Sequence, residues 1–191
     1  GTIDTAFNPG TSAAVRALLL QSDGRLLVGG GFATVGDQTR NGLARFNADG
    51  TLETAYNPNV GGTVVSLVLQ SDGKLVIGGA FSTINPNSTD TTTAVTRTHL
   101  ARLQADGTLD TSFDPDPNNA VNAVVPADEG GFYVAGAFTA FTPNGASIAT
   151  TRNRIALIRS DGTVDTRFNP NANADALTLA VLPDSTLLVG G

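Results

Sequence analysis

The sequence contains no cysteine, methionine or tryptophan, and its single lysine is Lys74. Without cysteine the chain cannot form disulfides, thiolate metal sites or cysteine nucleophiles. Many secreted bacterial proteins also lack cysteine, so this composition fits an extracellular setting. No apolar run reaches the roughly 18 residues that indicate a membrane-spanning helix. We therefore predict no membrane insertion.

Positive charge is scarce as well, because 11 lysines and arginines stand against 17 acids for a net charge of −6. Proteins that follow a phosphate backbone carry a basic face. We therefore predict no nucleic-acid partner. A hydrophobic content of 40% over 191 residues is enough for a folded domain with a real core.

The sequence is rich in internal repetition. Residues 50–81 read GTLETAYNPNVGGTVVSLVLQSDGKLVIGGAF, and closely similar copies lie at 1–32 and 107–138. A shortened copy at 162–191 stops at the double glycine. We divide the chain into repeats 1–49, 50–106, 107–161 and 162–191, the last one truncated. Residues 1–191 are predicted to form one repeat domain or part of one.

Each complete repeat predicts four short strands separated by turns, whereas no segment shows a helical period. In the first repeat the strands are residues 2–7, 15–20, 25–30 and 42–47. The later copies, without their opening strands, are 64–69, 74–79, 100–104, 121–125, 132–136, 155–159, 176–181 and 186–191. The predicted fold class is all-β, with about fifteen strands and no helix longer than a turn or two.

Tandem units of four antiparallel strands and about 50 residues are typical of a β-propeller. A four-stranded blade has two apolar faces, and stacking blades around an axis buries both. We expect the apolar run 15–20 and its copies to be the innermost strands, buried on both faces. We expect the double glycines where neighbouring backbones meet. The aromatic residues predicted to wedge between blades are Phe7, Tyr56, Phe113 and Phe168.

The repeats also resemble a known family. The composite motif GT[ILV][DE]T.[FY][ND]P, then SDG[RK]L[LV][VI]GG.F, then LAR, resembles the delta-60 repeat, and its double glycine is similar to that of kelch blades. Delta-60 repeats form propellers in large bacterial surface and secreted proteins. The resemblance implies a scaffold at an extracellular or cell-surface location, with the variable loops on one face. It implies no catalytic residues.

The blade count predicts an incomplete ring. The repeats supply about three and a half to four blades, and closed propellers have about four to eight. The chain also contains no start methionine. We therefore expect a piece of a longer protein, and part of a larger propeller. Its partners would be further repeats of the same chain or other copies of itself, which would cover the open ends.

Most acids recur at fixed places in the repeats, which favours turn capping over catalysis. These acids are Asp4, Glu53, Asp110 and Asp165, then Asp49, Asp106 and Asp161, then Asp23, Asp72, Glu129 and Asp184. We predict no cofactor and no metal site. Calcium at Asp114-Pro115-Asp116 is the alternative, although no complete calcium-loop motif is present.

One group of residues is a candidate binding site. Arg40, Arg97, Arg152 and Arg154 lie late in the variable connections, and His99 occupies the place of Gly42 and Arg154. If the connections share a face, these side chains form a basic patch suited to anionic glycans or acidic protein surfaces. The alternative is scattered solubilising charge.

The predicted function is a non-enzymatic structural, assembly or adhesion module of a bacterial extracellular or cell-surface protein. The alternative is a propeller that binds a glycan or a surface protein through the variable loops 33–41, 82–98 and 139–153. We predict no enzyme, because the sequence offers almost no unrepeated acids, histidines or tyrosines that could converge on an axis.

Overall fold

A computed structural model describes residue 2 and the ranges 7–88 and 93–191. These ranges are all-β, with short 3-10 turns at Asp128–Gly130 and Pro143–Gly145 and no α-helix. In this part of the chain no helix has the length and apolar character needed to cross a membrane. The strand predicted at residues 2–7 lies almost entirely outside the described residues.

The strands of the described ranges follow the predicted repeats closely. In chain order they are β1 (Val15–Leu20), β2 (Leu26–Gly30), β3 (Thr34–Val35), β4 (Gln38–Thr39), β5 (Leu43–Phe46), β6 (Val60–Leu69), β7 (Leu75–Ile84), β8 (Val95–Thr96), β9 (Leu100–Leu103), β10 (Val121–Pro126), β11 (Phe132–Gly136), β12 (Ala140–Phe141), β13 (Thr150–Thr151), β14 (Ile155–Ile158), β15 (Thr178–Val181) and β16 (Leu187–Gly190).

Antiparallel pairing joins these strands into four blades. Blade one is β1-β2-β5, blade two is β6-β7-β9, blade three is β10-β11-β14, and blade four is the hairpin β15-β16. In the first two blades the β-hairpin turn contains the predicted Asp-Gly pair. Gly24 and Gly73 take φ of 84° and 83° there, a conformation that glycine adopts without strain.

The strand predicted at the start of the second, third and fourth repeats is much shorter than expected. It pairs through one residue with the third strand of the preceding blade, as Leu52 with Phe46, Leu109 with Leu103, and Val164 with Ile158. The strand ends there because the following acid closes a turn. Asp110 Oδ1 accepts hydrogen bonds from the amide and hydroxyl of Ser112 at 3.1 and 2.6 Å. Each complete blade therefore takes its outer edge from the next repeat.

The variable connections are partly ordered into small hairpins. β3 pairs with β4, the end of β7 pairs with β8, and β12 pairs with β13. Each hairpin lies between the second and third strands of its blade. Because this place is the same in every repeat, the three connections leave the blades at the same end.

The core lies between the blades. Between blades one and two, Leu27 and Leu43 meet Val64 and Ile77 in a buried cluster. A second buried cluster joins blades two and three, and a smaller one joins blades three and four. Each blade therefore buries its face against the next blade in sequence, which is the stacking that the repeat pattern predicts.

The double glycines lie where neighbouring blades touch, as predicted. A Cβ built on Gly29 would meet Val64 Cγ1 at 2.9 Å, and a Cβ on Gly78 would meet Val121 Cγ1 at 2.9 Å. Blade three has Ala135 at this place, and there the facing residue is the smaller Ala176. The extra methyl group on one blade is thus matched by a smaller side chain on the next.

Two of the four predicted wedge aromatics are fully buried. Tyr56 and Phe113 are 1% and 0% exposed. Phe168 is only half-buried against Tyr133, and Phe7 is 40% exposed beside Phe46. The prediction is therefore confirmed at the two inner blade boundaries and wrong for Phe7. The described residues place no blade before blade one to enclose its ring.

Replacing Phe113 by alanine should lower the free energy of unfolding by about 3–5 kcal/mol, because the change leaves a cavity between blades two and three. Chemical denaturation measures the loss. Phe7→Ala is the matched control and should cost clearly less, since that ring is partly exposed. A loss under about 1 kcal/mol for Phe113→Ala would contradict the packing described.

Candidate functional site

Three arginines of the predicted binding group are buried. Arg40, Arg97 and Arg152 are 5%, 8% and 7% exposed. In each, Nη1 donates to the carbonyl of the preceding threonine, at 2.6, 2.8 and 2.6 Å. Nη2 donates to a carbonyl in the turn that opens the next repeat, namely Thr54 at 2.9 Å, Thr111 at 3.2 Å and Asp165 at 3.3 Å.

Through these hydrogen bonds the three arginines hold consecutive repeats together. The expected exposed basic patch does not include them, because their guanidinium groups point into the boundary between repeats and are occupied by backbone carbonyls. Of the four arginines predicted to form the patch, only Arg154 has a partly exposed side chain. Its Nη1 bonds the Ala137 carbonyl and pairs with Asp175 Oδ1 at 3.3 Å.

His99 and Arg154 share a backbone constraint with Gly42. These repeat-equivalent residues have φ of 60°, 66° and 69°, in the left-handed region that favours glycine. The residue stands just before the third strand, where its carbonyl accepts a hydrogen bond from the second strand, as Gly79 N to His99 O at 2.9 Å. Backbone geometry therefore explains why the left-handed conformation recurs at this position, independently of the side chain.

The environment of His99 favours a neutral imidazole. Burial lowers the pKa of His99 below its usual value, although a hydrogen bond with the Gly79 backbone and the charge of Asp116 oppose the shift. Its Nδ1 is shielded from solvent and has no partner among the described residues. Within the same residues, no three histidines, cysteines or acids are grouped so that they could hold a metal ion.

The carboxylates of Asp114 and Asp116 are engaged by protein donors. Asp116 accepts hydrogen bonds from the hydroxyls of Thr98 and Thr142. Asp114 pairs with Arg97 Nη1 at 3.1 Å. Burial raises the pKa of Asp114, and the neighbouring Arg97 opposes that rise. A calcium ion at this place would have to compete with these donors.

Sequence reasoning missed two further arginines, Arg45 and Arg102, each of which clamps two adjacent blades together. Arg45 makes two hydrogen bonds of 2.7 Å to Glu53 and donates to the Ala105 carbonyl of the next repeat at 2.8 Å. Its guanidinium lies 3.9 Å from the Tyr56 ring centroid. The side chain thus joins the outer edge of its own blade, the wedge aromatic and the next blade.

Arg102 repeats this clamp one blade later. Its Nε donates to Asp110 at 2.8 Å, its Nη1 donates to the Ser160 carbonyl at 2.7 Å, and its guanidinium lies 4.5 Å from the Phe113 ring centroid. Burial raises the pKa of Asp110, but hydrogen bonds from Ser112 and Arg102 outweigh it and hold the pKa well below its usual range. The carboxylate therefore stays ionised.

The clamp changes in the third repeat, where Leu157 stands at the arginine position. Asp165 instead pairs with Arg167 at 2.7 Å and Arg159 at 3.5 Å. Turn capping was thus an incomplete interpretation for Asp110 and Asp165, whose carboxylates also hold ion pairs. The Glu53 carboxylate pairs with Arg45 instead, and no turn amide of the described residues donates to it. Turn capping is confirmed where an aspartate accepts from the amide two residues on, at Asp23, Asp49, Asp72, Asp106, Asp161 and Asp184.

Two blade faces are left open, one at each end of the stack. On blade one, Leu18 and Leu20 of β1 are 65% and 71% exposed, so the expectation that this strand is buried on both faces was wrong. On blade four, Leu188 of β16 is 51% exposed. We call these surfaces the first and second open faces.

A polar groove lies among the connections of blades one and two. It encloses about 350 Å³ and is lined by Thr39, Asn41, Asn57, Asn59, Gly61, Thr83, Asn85, Ser88 and Ala94. Asn41 Nδ2 donates to Asn59 Oδ1 at 2.6 Å, and Asn59 Nδ2 donates to the Ser88 carbonyl at 2.6 Å. We call this surface the loop groove.

Comparison with known families agrees with this architecture. Residues 21–56 and 70–113 match a family model described as "Domain of unknown function (DUF5122) beta-propeller". Each match begins at the hairpin turn of a blade and ends at a wedge aromatic, Tyr56 or Phe113. It includes the single β-bridge that forms the outer edge of that blade. The chain is a β-propeller repeat protein.

Solved structures similar to this propeller chain include a protein of unknown function from Bacteroides caccae and the WD40 β-propeller domain of Doa1. The first is 16% identical over 77% of this chain, with a TM-score of 0.42. The second is 17% identical over 94%, with a TM-score of 0.48. The chain spans 46% and 62% of these structures. No protein of curated function matches its sequence.

Changing Arg102 to methionine should cost about 3–5 kcal/mol of unfolding free energy, because it leaves Asp110 buried without its main cation. Arg16→Met, at an exposed site on β1, is the control and should change stability by less than about 0.5 kcal/mol. The double change Arg102→Met with Asp110→Leu should recover part of the loss in urea titrations. Equal losses for Arg102→Met and Arg16→Met would contradict the clamp.

Proposed function

We propose that this propeller chain is a non-enzymatic structural module whose blades assemble face to face with further blades of the same kind. Those blades belong to further repeats of the same chain or to other copies of it. The proposal includes a bacterial extracellular or cell-surface location and a role in assembly or adhesion. Its support there is the cysteine-free composition and the resemblance to delta-60 repeats.

The observation that carries the proposal is that the two open faces are complementary halves of one repeated interface. Inside the chain, a glycine of the second strand receives a valine of the next blade, as Gly29 receives Val64 and Gly78 receives Val121. At the ends of the stack, Gly190 of β16 has the place of the glycine and Val15 of β1 has that of the valine.

Exposed apolar surface of this kind favours association. Burying a leucine side chain is worth about 1.5–3 kcal/mol, and both open faces carry exposed leucines. The two faces differ from each other, so one copy would join the next head to tail. Such heterologous contacts produce rings when the rotation closes and filaments when it does not.

The engagement of the repeated acids supports a structural role over catalysis. Glu53, Asp110 and Asp165 are paired with arginines, and the aspartates of the hairpins are bound to turn amides. Carboxylates held in this way are poorly placed to exchange protons with a substrate.

The chain should self-associate as its concentration rises, and light scattering coupled to size exclusion measures the mass. The double change Leu18→Lys with Leu20→Lys should weaken association at least tenfold, because it places charge on the first open face. Gln38→Lys with Ser147→Lys adds the same charge at exposed loop positions and should leave association unchanged. A wild-type chain that stays monomeric at millimolar concentration would overturn the proposal.

A second function is favoured by the loop groove, namely binding of a glycan or a protein through the connections 33–41, 82–98 and 139–153. The groove lies among the first two of these connections, at the end of the blades where all three emerge. Residues 89–92 of the second connection lie outside the described ranges. Arg40, Arg97 and Arg152 hold the repeats together, so the polar residues of the groove are better placed than these arginines to meet a ligand.

A further inference from the structure

We infer that the loop groove binds a neutral saccharide. The inference rests on the second function proposed above and names its ligand class and its site. Seven of the nine lining residues carry an amide or a hydroxyl group, and none carries a charge. The corresponding boundary one repeat later, by contrast, contains the ion pair of Arg97 with Asp114.

One residue that lines the groove, Asn57, carries a side-chain acceptor that no described residue uses. Asn57 Oδ1 is shielded from bulk solvent and has no hydrogen-bond partner among the described residues. A buried carbonyl oxygen without a partner is costly, so a donor supplied by a ligand would be favourable. A sugar hydroxyl is a suitable donor, because it brings no charge into a site whose described lining has no counter-ion.

The neighbouring asparagines hold the groove in shape. Asn59 accepts from Asn41 and donates to the Ser88 carbonyl, each at 2.6 Å. The Asn59 backbone has a φ of 51°, and the Asn57 carbonyl accepts from the Asn87 amide at 2.8 Å. These bonds tie the two connections together, so the Asn57 side chain is held on a fixed frame.

The equivalent place one repeat later shows why the ligand should be neutral. There Asp114 and Asp116 stand where Asn57 and Asn59 stand in the loop groove, and they are already bound by Arg97, Thr98 and Thr142. Where this boundary carries charged residues, the protein thus binds them with its own side chains. The neutral version keeps an open volume, and its Asn57 Oδ1 has no partner among the described residues.

The size and lining of the groove suit one or two sugar rings. A volume of about 350 Å³ is at the small end of ligand sites. The lining has no aromatic residue, so the affinity should be weak, about millimolar. Its described lining also has no charged residue that would anchor a charged peptide side chain.

The experiment titrates the 191-residue chain, labelled with nitrogen-15, with maltose, lactose and cellobiose, and follows backbone and side-chain amide shifts. At least one of these disaccharides should shift the signals of Asn41, Asn57 and Asn59. Sialyllactose, which adds a negative charge to lactose, should bind no more tightly than lactose.

Two variants test the site. Asn57→Leu removes the free acceptor and should weaken binding at least tenfold, with an unchanged or higher melting temperature because no internal bond is lost. Ala94→Phe fills the groove and should weaken binding as much. Asn169→Leu is the matched control, since Asn169 is the exposed repeat equivalent of Asn57, and it should leave binding unchanged.

The outcomes separate the inference from the functions proposed above. Saccharide binding that survives both Asn57→Leu and Ala94→Phe would keep the loops as a binding surface and overturn the groove as its site. Shifts with none of the disaccharides, or shifts at these asparagines with the peptide Ala-Thr-Ala-Thr-Ala only, would overturn the saccharide. Neither result bears on assembly, which the light-scattering experiment measures independently.

Discussion

Burial of sheet faces between consecutive blades is the interaction on which the rest of this structure depends. A single blade has apolar side chains on both faces and cannot cover either one alone. The glycine of one blade and the valine of the next come into direct contact, as at Gly29 and Val64, so the blades stack without a gap. The wedge aromatics and the clamping arginines stabilise a contact that the glycines make possible.

Polar side chains then set the order and angle of the stack. Arg45 and Arg102 each reach an acid on their own blade and a carbonyl of the following repeat. Arg40, Arg97 and Arg152 do the same at the loop end. Hydrophobic burial is non-directional, whereas these bonds demand one geometry. The chain therefore uses arginine at both ends of the first two boundaries, and at the loop end of the third, to keep its blades in register.

Periodicity was enough to predict the three main strands of the complete blades, the hairpin turns and the contact at the double glycines, because these depend on local spacing. It could not predict what an acid or arginine does once the repeats pack. Asp110 has the sequence context of a turn cap, and it is also one half of a buried ion pair. The loop arginines were expected at the surface because a charged residue in a polar loop is usually solvated. Their burial depends on carbonyls from a distant turn.

The most direct test of blade stacking, applied to the open faces of two copies, uses the absence of cysteine. Between blades, the Cβ atoms of the glycine–valine pairs would lie 3.3 and 3.5 Å apart, close to disulfide geometry. One chain carrying Val15→Cys and a second carrying Gly190→Cys are mixed and mildly oxidised, and cross-linked mass is measured. The account predicts a cross-link that joins the two different variants. No cross-link, or cross-links only between identical variants, would contradict it.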